Sequence, residues 1–468
     1  MPSERTTIAI AIGLAVVFTF LAITPIYSYD FFWHLATGRW IAEHQALPIH
    51  DPFAIASDRT PWINGEWLFE VVLYSIGGLR AASLLRALLV GLTFAIAFFF
   101  AARTSNWRIA AVLTALAFAG AHARLDLRPS TIAAGLLVLA IVCATRETRA
   151  GDIAFLVVAI VWINVHPSAL LAPVVAALLR TRLTIPSALA LLVNPFGWRA
   201  VAAPITLTLF ARGGTFVNAE WLPSPIVAFP LLYVCVVAGV VSFALHRRDL
   251  RRFVLFAILG YLAIAHVRNQ GLFFAAFPLL CGPDILVWPA ANRGEGQTGM
   301  SGPHIFIAVA LIAFVLITGD HHAGVAPHRF PIGSVARLKA TNFRGNIYNP
   351  DQFGGFLIWS FYPERRALTD GRNELFHTYI DEYAKARVDS RAWRALLAKY
   401  RIDVAVDEDR GTIDAVDAVT KQRRAIPASN AYWPPREWAL IARDDVSMVF
   451  ARRAAFPPEA VARWELQR

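Results

Sequence analysis

Apolar runs recur along the first two thirds of this chain, from Thr6 to about Gly319, each near the roughly 20 residues that a helix needs to cross the hydrocarbon core of a bilayer. Runs of that length leave few folds open. In lipid, every backbone polar group must be satisfied inside its own segment or in a closed barrel, so the chain is read as a bundle of helices. The composition agrees: of 468 residues, 57% are hydrophobic and 16% charged, with mean hydropathy +0.50, against about 25% charged in soluble domains. Past Gly319, charged residues, short strand patterns and turns take over. The expected architecture is an α-helical polytopic membrane domain over residues 1–320, with about 11 transmembrane helices and a large first external loop at 27–79. A small α/β water-soluble domain over 327–468 follows it.

The formal charge of +11 has to be located before it means anything. Many arginines sit in short loops between apolar segments, where they set orientation. The four lysines, Lys339, Lys385, Lys399 and Lys421, all lie in the tail. No basic run interleaved with aromatics occurs there, so nucleic acid is not an expected partner. Cys143, Cys235 and Cys281 include no close pair, which implies neither a disulfide framework nor a zinc site. The first apolar run has no small-residue cleavage site before Tyr27 and is read as a span rather than a signal peptide.

Orientation follows from the basic loops. Arg5, Arg103–Arg108, Arg146–Arg149, Arg180–Arg182 and His246–Arg252 are assigned to the inside. Reading Trp67–Leu79 as a further span would invert everything downstream and put the Arg247 loop outside, against the same rule. The chosen scheme has the N-terminus inside and the tail outside. It gathers Asp30, His34, Asp51, Glu66, Arg124, Asp126, Arg128, His166, Asn194, Glu220 and Arg268 at the outer face. Ionisable groups collected at one membrane face mark a functional site.

Each of these has a chemical and a plainer reading. Asp30 follows the first span within a few residues, among Tyr29, Phe31, Phe32 and Trp33. A carboxylate in an apolar rim is partly desolvated and becomes a better base; the alternative is a helix cap in an aromatic belt. His34, four residues on, shares a helix face with it. Glu66, in Asn64-Gly-Glu-Trp67, is a second acid, and Glu220 a third. Asp51, between Pro48 and Pro52, is read as a turn cap. Two carboxylates could act as a base plus a ligand for a divalent ion, magnesium or manganese, but their spacing does not fix a metal. Arg124, Arg128 and Arg268 suit phosphate or merely anchor to anionic lipid heads. His166 ends a span beside Asn164. In the tail, residues 345–349, 356–359, 366–369 and 402–406 are expected as short strands. Ser390–Tyr400 is expected as a helix and residues 438–452 as a terminal hairpin. Asp351-Gln-Phe-Gly-Gly355 and Asp370-Gly-Arg372 are read as turns. No phosphate loop, nucleophile elbow or dinucleotide fingerprint occurs.

The segments Asp30-Phe-Phe-Trp-His-Leu-Ala-Thr-Gly-Arg39, Pro48-Ile-His-Asp-Pro-Phe53, Pro61-Trp-Ile-Asn-Gly-Glu-Trp-Leu68, Asn194-Pro-Phe-Gly-Trp-Arg199, Arg268-Asn269, Tyr348-Asn-Pro-Asp-Gln-Phe-Gly-Gly355 and Pro363–Arg372 resemble a group of bacterial polytopic proteins similar to the GT-C glycosyltransferase superfamily. The resemblance implies a transferase of the inner membrane that takes a sugar from a polyprenyl-phosphate donor on the outer face. It also implies a catalytic acid in the first external loop, the place of Asp30. Here that acid is followed by Phe31 rather than by a second acid. On this reading Asp30 is the base and Glu66, or Glu220, assists the acceptor or holds a metal. Arg268, Arg124 and His166 stabilise the departing polyprenyl phosphate, with Arg128 and His34 as further substrate contacts. The alternatives are a non-catalytic protein that binds or transports a lipid-linked saccharide, and a polysaccharide polymerase or ligase.

Overall fold

The computed structural model describes residues 4–212, 219–246, 249–282, 310, 313–317, 319–416 and 423–466. It divides into two compact units, Met1–Ile26 with Ile63–Val325, and Tyr27–Trp62 with Ala326–Arg468.

The first unit is helical. Helices α1 (Glu4–Leu21), α4 (Leu79–Thr104), α5 (Trp107–Ala121), α6 (Pro129–Thr145), α7 (Arg149–Ile163), α8 (Leu171–Leu179), α9 (Thr184–Ala190), α11 (Pro230–His246), α12 (Leu250–Ala265) and α13 (Gln270–Cys281) fall on the first ten expected spans. Among the described residues, only α1 and α4 are both long and apolar enough to cross a bilayer unaided. The seven residues of α9 rise only about 11 Å at 1.5 Å each, so helix existence does not by itself establish about 11 crossings. The expected eleventh span, 304–318, lies largely outside the described residues. Trp67–Ser75 forms α3, a helix of nine residues. Between Asn194 and Pro225 lies α10 (Trp198–Arg212), which carries Pro204 in its interior.

Close approach of α1 to α4 depends on Gly91, where a Cβ would lie 2.1 Å from Thr19 Oγ1 and 2.7 Å from the Ala15 carbonyl oxygen. Phe18, Phe94 and Phe118 interlock beside it, with centroids 4.6 Å apart for Phe18 and Phe118. The outside of the unit is apolar too. Ile8, Ile12, Val16 and Phe20 recur every fourth residue on α1 and are all exposed, as are Leu84, Leu88 and Leu92 on α4 and Ile153, Val157 and Val161 on α7. Water penalises stripes of this kind, whereas lipid accepts them. Charge is buried here too, at Glu70 of α3 and Arg86 of α4. Arg86 of α4 donates to the carbonyls of Ala22 and Thr24, both at 2.8 Å, and faces Asp126 at 3.5 Å.

In the second unit, β1 (Asn346–Tyr348), β2 (Ile402–Glu408), β6 (Ser447–Arg452) and β5 (Trp438–Arg443) form a sheet in the order β1-β2-β6-β5. Its first pair is parallel and the others antiparallel. Strands β3 (Thr412–Val416) and β4 (Arg423–Pro427) pair separately. Helix Ser390–Lys399 and the β5–β6 hairpin match expectation. Two expected strands do not form. Residues 356–359, with the presumed turn 351–355, make one helix, Asp351–Phe361. It follows Pro350, and its buried Phe353, Leu357, Ile358 and Phe361 lie along one face at helical spacing. Residues 366–369 form no regular strand. Ala367 pairs with the 53–55 segment through Ile55 N–H to Ala367 O, 2.9 Å, and Ala367 N–H to Phe53 O, 3.1 Å. Helix α2 (Phe31–His44) packs on Asp351–Phe361. Gly355 makes this possible, because a Cβ there would meet the Tyr29 carbonyl oxygen at 2.8 Å and Trp33 N at 3.1 Å.

Candidate functional site

Six of the eight candidate residues, Glu66, Arg124, Arg128, His166, Glu220 and Arg268, belong to the first unit, and Asp30 and His34 to the second.

In the first unit, the turn after α5 and the start of α6 carry Arg124 and Arg128 to one carboxylate. Arg124 Nη2 donates to Glu220 Oε1 at 2.9 Å, and Arg128 Nη1 donates to the same oxygen. Arg268 lies over the Trp221 ring, 4.6 Å from its centroid. Burial alone would raise the Glu220 pKa, but Arg128, Arg124 and Arg268 outweigh it and hold the carboxyl at about 2. Glu220 is therefore ionised at neutral pH and a poor proton acceptor. Its use is to fix two guanidiniums whose combined charge, with Arg268, still exceeds its own.

Glu66 is held by its neighbours. Its N–H donates to Asn64 Oδ1 at 3.1 Å, and Asn64 Nδ2 donates to the buried Glu70 at 2.6 Å. Trp67 Nε1 donates to Asn164 Oδ1 at 2.9 Å, while Asn164 Nδ2 donates to the carbonyls of Ile160 and Val193. This clamp sets Glu66 Oε1 3.9 Å from His166 Nε2. Burial, helped by the Arg268 charge, lowers the His166 pKa to about 3, so the pair is not an ion pair at neutral pH. The Ser168 N–H donates to His166 Nδ1 at 3.1 Å, which leaves the proton on Nε2, facing Glu66. His166 can donate a hydrogen bond but brings no charge. Asn194 bonds to Leu191, Phe196 and Gly197 and shapes its own turn, with Gly197 at φ +54°. Asp126 is taken up by Arg86.

In the second unit, Asp30 occupies the N-cap position of α2, yet its side chain makes no capping hydrogen bond. Its Oδ1 accepts instead from Trp33 Nε1 at 3.3 Å. His34 is buried, its ring 3.6 Å from that of Trp33 between centroids. Asp51 does cap its turn, accepting from Phe53 N at 3.0 Å and Ala54 N at 3.1 Å. Asp51 has a second role that the spacing did not reveal: its Oδ1 also accepts from Arg372 Nη2 at 2.9 Å. Asp370 accepts from the same guanidinium, from Arg372 Nε at 2.8 Å and from Arg372 Nη2 at 2.5 Å. All three side chains are at most 1% exposed. Asp351, read as part of a turn, begins the helix on α2. The protein packed around it pushes its pKa up, and the Asp30 and Glu408 charges add to this against the pull of the Gln352 N–H. The residue is still open to water, which screens that push. A recess of about 370 Å³ nearby in the chain is lined by Tyr29, Arg329, Gln352, Glu408, Asp409 and Arg410, among others. Among the described residues, no three His, Cys, Asp or Glu side chains gather as a metal ligand set. Glu66 with His166 supplies only two donors.

No family model and no curated protein matches the chain. Solved structures do. The archaeal oligosaccharyltransferase AglB from Archaeoglobus fulgidus, in complex with an inhibitory peptide and a dolichol-phosphate, is similar with TM-score 0.56 and 10% identity, over 90% of this chain and 74% of that one. ArnT from Cupriavidus metallidurans is similar in its apo state with TM-score 0.55 and 13% identity, over 100% of both chains. Bound to undecaprenyl phosphate it gives 0.53 and 13%, over 98% and 99%. The fold of this chain is thus of the GT-C type.

Proposed function

We propose that the protein is a membrane glycosyltransferase that moves a sugar from a polyprenyl-phosphate-linked donor to an acceptor hydroxyl at the outer face of the bacterial inner membrane. The N-terminus is cytoplasmic and the 327–468 domain periplasmic. One observation carries the reading: within a GT-C fold, the helix that follows α1 opens on a carboxylate, Asp30, which does not cap it.

The chemistry is an inverting displacement. Asp30 takes the proton of the acceptor hydroxyl, and the acceptor oxygen bonds to the anomeric carbon. The bond from that carbon to the phosphate oxygen breaks, and polyprenyl phosphate leaves with the electron pair. Arg124, Arg128 and Arg268 receive the charge that develops on the phosphate, an electrostatic role suited to guanidinium. His166 contributes its Nε2–H, Glu66 orients the acceptor, and His34 backs Trp33. AglB and ArnT have been captured with dolichol-phosphate and undecaprenyl phosphate, and a carrier of that class is the proposed donor here.

The phosphate assignment can be tested without turnover. Native mass spectrometry of the detergent-solubilised protein with undecaprenyl phosphate should show binding that Arg268→Gln and Arg128→Gln each weaken about tenfold. Binding unchanged in both variants would remove the arginines from the site.

A further inference from the structure

The proposed base has a neighbour from the far end of the chain. In the Thr369–Arg372 loop, Gly371 faces Asp30 so closely that a Cβ on it would lie 2.6 Å from Asp30 Oδ1. The next atoms such a Cβ would meet are Asp30 Cγ at 3.8 Å and Trp33 Nε1 at 3.9 Å. Gly371 does not have the left-handed backbone that favours glycine, so the obstacle to a side chain here is the Asp30 carboxylate itself. The residues on either side of Gly371 are fixed. Asp370 and Asp51 hold Arg372 from two directions. The guanidinium is boxed by the rings of Trp62, Phe53 and Trp33, at 4.6, 5.4 and 5.5 Å from their centroids. Trp33 is the residue whose indole N–H reaches Asp30 Oδ1. Arg372 therefore bears on Asp30 by two routes, through the backbone at Gly371 and through the Trp33 ring.

We propose that Gly371 and Arg372 are positioning residues for Asp30: the buried Asp51–Arg372–Asp370 cluster sets the 371 backbone and the Trp33 indole, and these two surfaces fix where the Asp30 carboxylate stands. The catalytic part of this rests on the assignment of Asp30 as the base. Neither residue touches substrate. Their effect is geometric, and a carboxylate displaced by about 1 Å loses on the order of 100-fold in rate.

Gly371→Ala is the direct test, since it adds one methyl group where Asp30 is the nearest obstacle. In full-length protein, kcat should fall about 10- to 100-fold, with KM for donor and acceptor within about twofold and the thermal midpoint unchanged. In an Asp30→Asn background the same change should have no further effect on rate, as expected when two residues act through one group. A readout independent of turnover is the Trp33 indole 1H–15N resonance, assigned with Trp33→Phe, which should move in Gly371→Ala. Arg372→Lys, which keeps the charge without the two-pronged grip, should move it as well. A resonance that moves in Gly371→Ala, in a protein whose wild type transfers nothing, would support the positioning and defeat the transferase reading. An active wild type whose Gly371→Ala variant keeps both kcat and the Trp33 resonance would overturn the positioning. So would a rate loss of the same size in the Asp30→Asn background.

Discussion

At Glu220, burial and three guanidiniums pull in opposite directions, and the guanidiniums win. The folded pKa of about 2 lies below the ordinary 4.5, so the unfolded chain binds the proton more readily. The stability gained is fully present above about pH 4.5 and is lost as the pH falls through about 2. A gap on the order of 3 kcal/mol between wild type and Glu220→Gln is expected at neutral pH. Thermal melts from pH 7 to pH 2 should show it constant down to about pH 5 and shrinking below that. A gap that does not change with pH would mean that Glu220 is not held ionised by its arginines. Single residues were legible in proportion to how local their chemistry is. Asp51 as a turn cap could be read from neighbours in the chain. The neutrality of His166 could not, because it depends on burial and on Arg268, both products of the fold. Nor could the grip of Asp51 on Arg372, since no spacing rule links residues so far apart.

Helix Asp351–Phe361 shows where element-level reading goes astray. Its paired glycines suggested a turn, and Phe356-Leu-Ile-Trp359 looked like a strand. The glycines are needed instead for close packing: a Cβ at Gly354 would lie 2.0 Å from the Thr369 carbonyl oxygen, and Gly355 lets α2 approach. The helix and the 369–372 loop are thereby pressed together, and the loop relies on its buried charges. Arg372→Met would leave Asp51 and Asp370 buried with their cation gone, a change that costs about 3–5 kcal/mol. The expected result is a clearly lowered unfolding midpoint, with much of the loss recovered when both carboxylates are also made Asn. A single Arg372→Met that melts like wild type would show the cluster to be structurally idle. The strands β2, β5 and β6 were legible because their apolar runs are bounded by charged turns such as Asp444-Asp445.

For the molecule as a whole, hydropathy located the helices but not the division of the chain. Composition shifts near residue 320, whereas the compact unit that holds the tail also takes in Tyr27–Trp62. Hydropathy says which segments avoid water, not which distant polar segments pack together. Trp33, Phe53, Ala54 and Trp62 belong to the same core as Tyr348, Phe353 and Leu368. Residues 326–468 alone should therefore bind a hydrophobic dye and melt without cooperativity, while the same segment joined to residues 27–62 should melt cooperatively. A cooperative melt of 326–468 alone would refute this dependence. The central claim, that Asp30 drives sugar transfer from a lipid carrier, is tested most directly by turnover. The purified protein is incubated with a panel of polyprenyl-phosphate sugars and an envelope extract as acceptor, and released polyprenyl phosphate is followed by mass spectrometry beside Asp30→Asn. Release from at least one donor, reduced at least about 100-fold in the variant, is the predicted result. Release that persists in Asp30→Asn, or donor binding with no release from any sugar, would contradict it.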